Sequence, residues 1–149
     1  MKKICMLYFA YGANTNTAGM ADRCPGAVSI GSARLEYHRF RFAGHADIVT
    51  DAEHDVEGVL WEITEEHLAS LDNFEGYPHY YDRKVIGVVL AEHEEEVPAI
   101  VYFMQPGFND QKPGDQYLTT VYNGYKEHNV PCAQLLEALT YNVKTYNDY

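Results

Sequence analysis

The chain has 149 residues, of which 46% are hydrophobic and 13% aromatic, and its net charge at pH 7 is −11. This length suits one domain with a substantial core, and we expect a single domain over residues 1–149. The negative charge argues against nucleic acid or an anionic membrane as a partner, because both bind basic surfaces. No apolar run approaches the roughly 18 residues that a membrane-spanning helix needs.

Three widely spaced cysteines, Cys5, Cys24 and Cys132, show no CxxC pairing. This pattern is typical of a reducing compartment rather than of a disulfide-stabilised scaffold. The first residues superficially resemble a signal peptide, with two lysines before an apolar run. That run lacks a small-residue cleavage site and continues into residues 11–14 (YGAN), so we interpret it as a core strand and expect a cytoplasmic protein.

The first predicted element is a strand over residues 4–11, which are continuously apolar and β-prone. Gly12 ends this strand, because glycine takes φ values that other residues resist. Asn14 or Thr15 is the expected cap of a short helix that stops at residues 24–26 (CPG).

A long β-rich region follows. Residues 27–42 predict one long or bent strand that residues 44–50 continue, and residues 51–55 (DAEHD) predict a polar turn. Residues 56–63 give the clearest strand pattern, with apolar side chains on both faces.

The next segment predicts a helix that begins after Thr64 and ends at Gly76, a typical C-terminal cap. Glu65 and Glu66 suit the positive end of its dipole. Its predicted buried stripe consists of apolar residues at helical spacing, namely Leu68, Leu71 and Phe74.

The last third predicts a β-hairpin over residues 80–104 with an acidic tip at residues 92–96. A loop rich in proline and glycine follows, and two helices begin near Asp115 and Pro131. The strands come in neighbouring runs instead of alternating regularly with helices. This order indicates an α+β fold rather than a doubly wound sheet.

The turn formed by Gly12, Ala13 and Asn14 follows a strand and precedes a helix start. Free backbone N–H groups at such a junction can bind a carboxylate or an oxyanion. The alternative is a plain strand-to-helix turn. Neither a P-loop nor a GxGxxG pattern is present, so no nucleotide is implied.

Glu75 lies at the predicted end of the helix, where the helix dipole opposes a negative charge. Apolar surroundings supplied by Phe74, Tyr77 and Trp61 would oppose it further. Both effects would raise the pKa of Glu75 towards neutrality, where a carboxyl group can accept and donate protons. The alternative is an ordinary exposed acid.

The sequence contains no motif that is typical of a metal-dependent or a covalent mechanism. The seven histidines show neither HExxH nor a short HxxxH spacing, and no serine lies in a GxSxG context. His93, in the acidic hairpin tip, would at most hold a cation weakly, and a solvated loop is the simpler interpretation. We expect no metal and no cofactor.

Four stretches, in order, resemble a known family. Residues 8–14 (YFAYGAN) look like the Y-F-A-Y-G-S-N signature of the gamma-glutamylcyclotransferase-like (AIG2-like) family. Residues 56–61 (VEGVLW) are similar to its V-x-G-V-[LV]-W strand, and residues 71–76 (LDNFEG) match its L-D-x-x-E-G segment. Residues 113–118 (PGDQYL) resemble its late P-S-x-Q-Y motif.

The resemblance implies a mixed, closed or nearly closed β-barrel with peripheral helices. It also implies a small-molecule γ-glutamyl substrate that cyclises to 5-oxoproline, with Glu75 as catalytic acid/base and no cofactor. The residues that it implies for substrate binding are Tyr11, Gly12, Ala13, Asn14, Tyr102 and Tyr117.

Ala13 stands where the family usually has serine, which leaves the identity of the leaving group open. Three alternatives therefore accompany the usual γ-glutamyl amino-acid substrate. The first is a γ-glutamylamine or a γ-glutamyl natural product as substrate on the same scaffold. The second is a non-catalytic small-molecule binding module, and the third is an interaction domain. The sequence makes no prediction of oligomeric state.

Overall fold

A computed structural model describes residues 5–147 of the protein, with side chains described up to residue 144. Five strands and four α-helices occur in this part of the chain. The strands are β1 (Cys5–Ala10), β2 (Val28–Ala43), β3 (His45–Thr64), β4 (Tyr81–Leu90) and β5 (Glu95–Met104). The helices are α1 (Thr17–Arg23), α2 (Glu65–Glu75), α3 (Asp115–Glu127) and α4 (Ala133–Asn147). A short 3-10 helix, Ala13–Thr15, joins β1 to α1.

The strands form a closed barrel in the order β1-β3-β2-β4-β5. Neighbouring strands are antiparallel, except that β1 and β5 close the barrel through a parallel pair, Tyr8 and Ile100. The predicted α+β class and the mixed closed barrel with peripheral helices are confirmed. Closure gives β1 a neighbouring strand on each side, and its last three residues, Tyr8, Phe9 and Ala10, are buried.

Strands β2 and β3 form one long hairpin, and its turn lies at Gly44 (φ 79°). The prediction of a turn at residues 51–55 is wrong, because β3 continues through this segment. The pairing register slips there, so that residues 51–54 stand opposite Tyr37 alone. The polar cluster marks a bulge in a long strand rather than a reversal of the chain.

Helix α1 is capped by Asn16, whose side chain accepts a hydrogen bond from the N–H of Gly19 at 3.0 Å. The predicted caps, Asn14 and Thr15, instead lie in the 3-10 helix and are buried. Because the 3-10 helix precedes α1, both residues are held against the barrel, and Asn14 becomes available for other contacts.

Helix α2 has the predicted ends. Thr64 accepts a hydrogen bond from the N–H of His67, and Gly76 adopts the left-handed conformation (φ 67°). Leu71 is completely buried, whereas Phe74 is 45% exposed, so the prediction of Phe74 as part of the buried stripe is wrong. The helix therefore ends with one aromatic side chain turned away from the core.

Helix α3 packs against the segment that follows β1. A Cβ on Gly124 would collide with Thr15 Oγ1 and would lie 2.6 Å from the backbone nitrogen of Asn16. The hydroxyl of Tyr125 donates to the backbone oxygen of Tyr11 at 2.6 Å. This close packing holds the turn after β1 in place. Within residues 5–147, none of the helices is both long and apolar enough to cross a membrane.

Candidate active site

A cavity of about 310 Å³ lies where β1, the 3-10 helix and the C-terminal ends of α1 and α2 meet. Aromatic rings from several strands form much of its wall. All seven site residues that the sequence singled out line it, namely Tyr11, Gly12, Ala13, Asn14, Glu75, Tyr102 and Tyr117. The barrel thus brings together residues that lie more than 100 positions apart in the sequence.

Glu75 is the last residue of α2 and is largely buried in the wall of this cavity. Burial raises the pKa of its carboxyl group to about 7, and the positive charge of Arg23 opposes that rise. Of the three apolar neighbours predicted for Glu75, Phe74 lines the cavity, whereas Tyr77 and Trp61 do not appear among the described lining residues. Tyrosine rings supply most of the low-dielectric surroundings.

The side chain of Asn14 connects several elements around Glu75. Its Nδ2 lies 3.0 Å from the hydroxyl oxygen of Tyr8 and 3.4 Å from Oε1 of Glu75. Its Oδ1 accepts a hydrogen bond from Arg23 at 2.9 Å. The backbone oxygen of Asn14 accepts a further bond from the indole of Trp61 at 3.0 Å. Both polar atoms of the Asn14 side chain therefore have hydrogen-bond partners.

The 3-10 helix after β1 forms one wall of the cavity. Its hydrogen bonds run from the N–H of Thr15 to Gly12 O and from that of Asn16 to Ala13 O, each at 3.1 Å. The N–H groups of Ala13 and Asn14 precede these bonds and have no partner within the helix. That of Ala13 bonds instead to the hydroxyl of Tyr117, so Asn14 is the donor of this turn that the helix leaves unpaired.

Gly12 is required for a different reason from the one predicted. Its φ is −121°, so the expectation of a φ value reserved for glycine is wrong. A Cβ at this position would instead lie 2.9 Å from the Cβ of Ala46 and 3.1 Å from the hydroxyl of Tyr117. The close approach of β3 and α3 excludes a side chain here.

Three of the tyrosines around the cavity have their hydroxyl groups engaged by protein atoms. Tyr11 donates to the backbone oxygen of Tyr102 at 2.7 Å, and Tyr102 donates to Oδ1 of Asp72 at 2.7 Å. Tyr117 accepts from the N–H of Ala46 at 3.0 Å. Burial is the main cause that raises the pKa of all three phenols, so they are neutral in the folded protein.

The sequence reasoning missed several residues of the cavity wall, namely Tyr8, Arg23, His45, Tyr80 and Tyr81. Tyr8 lies in β1, and its place in the wall depends on the closure of the barrel, which local spacing does not reveal. Arg23 gave no signal, because a basic residue in the last turn of a helix is ordinary.

Comparison with known proteins identifies the family. A family model described as "Gamma-glutamyl cyclotransferase, AIG2-like" matches residues 8–143. Gamma-glutamylcyclotransferases of Bos taurus and Homo sapiens are 30% and 29% identical over 137 residues, which cover 84% of this chain and 72% of each relative.

Solved structures agree. A gamma-glutamyl cyclotransferase of 28% identity superimposes with a TM-score of 0.79 over 95% of this chain and 86% of its own. An AIG2-like protein of Mus musculus, 23% identical, shares the fold with a TM-score of 0.60 over 76% of this chain and 82% of its own. The chain belongs to the AIG2-like gamma-glutamyl cyclotransferase family and is an enzyme of this kind.

Proposed function

We propose that the protein cyclises the γ-glutamyl group of a small molecule to 5-oxoproline and releases an amine or an amino acid. The observation that carries this proposal is a buried carboxyl group, Glu75, which has a pKa of about 7 and shares its cavity with the turn formed by Gly12, Ala13 and Asn14. A group with this pKa can both remove and return a proton near neutral pH.

The reaction needs little beyond folding of the substrate and transfer of protons. Glu75 takes a proton from the substrate's α-ammonium group, and the freed amine attacks the γ-carbonyl carbon. A new C–N bond closes the five-membered ring and the bond to the leaving nitrogen breaks. The ring nitrogen loses a second proton, and both protons, transferred through Glu75, end on the leaving nitrogen, which departs as an ammonium group. Because nucleophile and carbonyl belong to one molecule, correct folding of the substrate gives a high effective concentration. No water or second substrate is consumed.

The backbone N–H of Asn14 would supply the complementary part of the site, since that of Ala13 already bonds to Tyr117. It suits the substrate's α-carboxylate or the oxygen that becomes negative during attack. Tyr11, Tyr102 and Tyr117 would shape the cavity with their rings, since their hydroxyls already bond to protein atoms. Gly12 would let the turn pack against Ala46 and Tyr117, which holds Asn14 in the cavity wall.

Replacement of the acid tests the proposal. We expect Glu75→Gln to lower kcat by ~10²-fold or more while the protein stays folded, since proton transfer is lost and the shape is kept. The assay measures release of 5-oxoproline from γ-glutamyl-alanine. Glu66→Gln, an exposed acid in the first turn of the same helix, is the matched control and should retain wild-type turnover. Wild-type turnover in Glu75→Gln would contradict the role of Glu75.

A second candidate is a different leaving group, and Ala13 is the observation that favours it, because the hydroxyl of the family's usual serine is missing. A panel of γ-glutamyl-alanine, glutathione and γ-glutamyl-lysine separates amino-acid, peptide and amine-bearing leaving groups by 5-oxoproline release. Binding of these compounds with no turnover would support a non-catalytic module instead. A buried acid without an ion-pair partner among the described residues argues against that module, because such burial is costly.

A further inference from the structure

Arg23 has contacts that link it to Glu75 without touching it. Its NH1 donates to Oδ1 of Asn14 at 2.9 Å, and the other end of the same amide, Nδ2, lies 3.4 Å from Oε1 of Glu75. Its guanidinium carbon stacks over the ring of Phe74, 3.7 Å from the ring centre. Arg23 is thus held on one side by Asn14 and on the other by the residue that precedes Glu75.

The chemistry of these groups leaves one orientation for the Asn14 amide. A guanidinium has only donors, so it must face the amide oxygen. The amide nitrogen then points to Tyr8 and Glu75, where it favours the ionised carboxylate because it can only donate. Without Arg23, rotation of the amide by half a turn would place its oxygen against the carboxylate.

We propose that Arg23 is a positioning residue that orients the Asn14 side chain to hold the Glu75 carboxyl group for proton transfer. This inference rests on the proposed function, and it adds a residue that makes no contact with Glu75 itself. The end of α1 therefore acts on the end of α2 through the turn that follows β1.

The charge distribution around the cavity supports this role. The titratable or charged groups that share the cavity with Glu75 come from every strand and helix around it, namely Tyr8, Tyr11, Arg23, His45, Tyr80, Tyr81, Tyr102 and Tyr117. Among these described residues, Arg23 alone carries a permanent charge. The pKa of Glu75 is raised by burial, and Arg23 is the group that opposes the rise. Its removal should therefore favour the protonated acid.

The first test compares Arg23→Met, Arg23→Lys and the wild type. In Arg23→Met we expect kcat to fall about 10-fold with KM within twofold, and the pKa of Glu75 to rise by about one pH unit. That pKa is read by carboxyl NMR in the free protein and by the acid limb of kcat/KM. Arg23→Lys keeps the charge but lacks the planar guanidinium that stacks on Phe74 while it bonds to Asn14, so it should keep the pKa and lose part of kcat. Arg34→Met, which removes an arginine paired with Glu94 far from the cavity, should change neither.

A double-mutant cycle tests whether Arg23 acts through Asn14. If it does, Arg23→Met combined with Asn14→Ala should have a kcat no lower than Asn14→Ala alone. Additive losses of kcat in the double variant would overturn the inference, and so would an unshifted Glu75 pKa in Arg23→Met. A raised KM with an intact kcat in Arg23→Met would also overturn it, because Arg23 would then be a substrate-binding group. If no γ-glutamyl compound is turned over, the proposed function fails, but the NMR titration in the free protein still tests the influence of Arg23 on Glu75.

Discussion

At the scale of single residues, Gly12 shows how closely the cavity is built. The backbone at this position passes within contact distance of Ala46 on β3 and of the Tyr117 hydroxyl on α3. A glycine is therefore needed to bring three elements together at the point where the substrate would meet the backbone. Its φ of −121° lies outside the left-handed region, and the contacts with Ala46 and Tyr117 leave no room for a side chain.

Replacement of Gly12 by alanine should consequently weaken substrate binding. The new Cβ would lie 2.9 Å from that of Ala46, so the turn must move away from β3 and the N–H groups of Ala13 and Asn14 move with it. We expect KM to rise about 10-fold, which corresponds to about 1.4 kcal/mol. Steady-state kinetics with γ-glutamyl-alanine measure this effect.

The structure offers a rescue for the same variant. Ala46→Gly removes the atom that causes the 2.9 Å contact, so the double variant Gly12→Ala/Ala46→Gly should recover part of the lost affinity. Unchanged KM in Gly12→Ala would mean that the turn does not contact the substrate.

Predictions for single residues were correct where a local sequence rule applied. They failed where a contact with a distant part of the chain determines a residue's position. Glu75 was found from its place at a helix end, and its predicted rise in pKa agrees with burial in the cavity. Tyr77 and Trp61 are not among the residues that line the cavity, whereas Tyr8 is, because the curvature of the barrel leaves no trace in local spacing. Arg23 was missed because a basic residue in the last turn of a helix is ordinary.

At the scale of elements, the position of the turn after β1 depends on α3. Gly124 permits α3 to touch Thr15 and Asn16, and Tyr125 on the next position bonds to the backbone of Tyr11. The first and third helices are thereby joined through the turn. Stability of the site is therefore coupled to the packing of a helix whose own residues are mostly remote from Glu75.

We expect Gly124→Ala to lower the free energy of unfolding by about 1–3 kcal/mol, because the added methyl group overpacks a tight interface. Urea-induced unfolding measures the change. Gly114→Ala is the matched control, since a Cβ there meets no atom within 4 Å and the residue lies just before the same helix. Equal stability of the two variants would contradict the role of Gly124.

Sequence patterns located most of the elements but not the reversals between the longest strands. The pattern of residues 56–63 and the caps Thr64 and Gly76 gave correct predictions, because strand alternation and capping are local. The polar residues at 51–55 looked like a turn, since an exposed bulge and a turn have similar composition. Only the pairing with β2 distinguishes them.

At the scale of the whole molecule, a buried acid makes stability depend on pH. The pKa of Glu75 is about 7 in the folded protein and near 4.5 without burial, so the folded state binds more protons between these values. The contribution of Glu75 to the free energy of unfolding therefore decreases as pH rises from about 4.5 to about 7. Above pH 7 it decreases no further.

Chemical denaturation of the wild type and of Glu75→Gln from pH 4.5 to 8 measures this dependence. The stability of Glu75→Gln relative to wild type should increase with pH and level off above pH 7. The difference between the two pKa values limits this increase to about 3 kcal/mol. A difference that is constant across this range would show that the carboxyl group is not held in its raised-pKa environment.

Barrel closure through Tyr8 and Ile100 also sets the order in which the protein can acquire its site during folding. Tyr102 of β5 lines the cavity, and its backbone oxygen accepts a hydrogen bond from Tyr11, so the wall around Glu75 is complete only when the first and last strands have met. A contact between such distant positions forms slowly, because a long loop must close first. A nascent chain that ends before β5 would hold Glu75 on a finished helix and yet have no cavity around it.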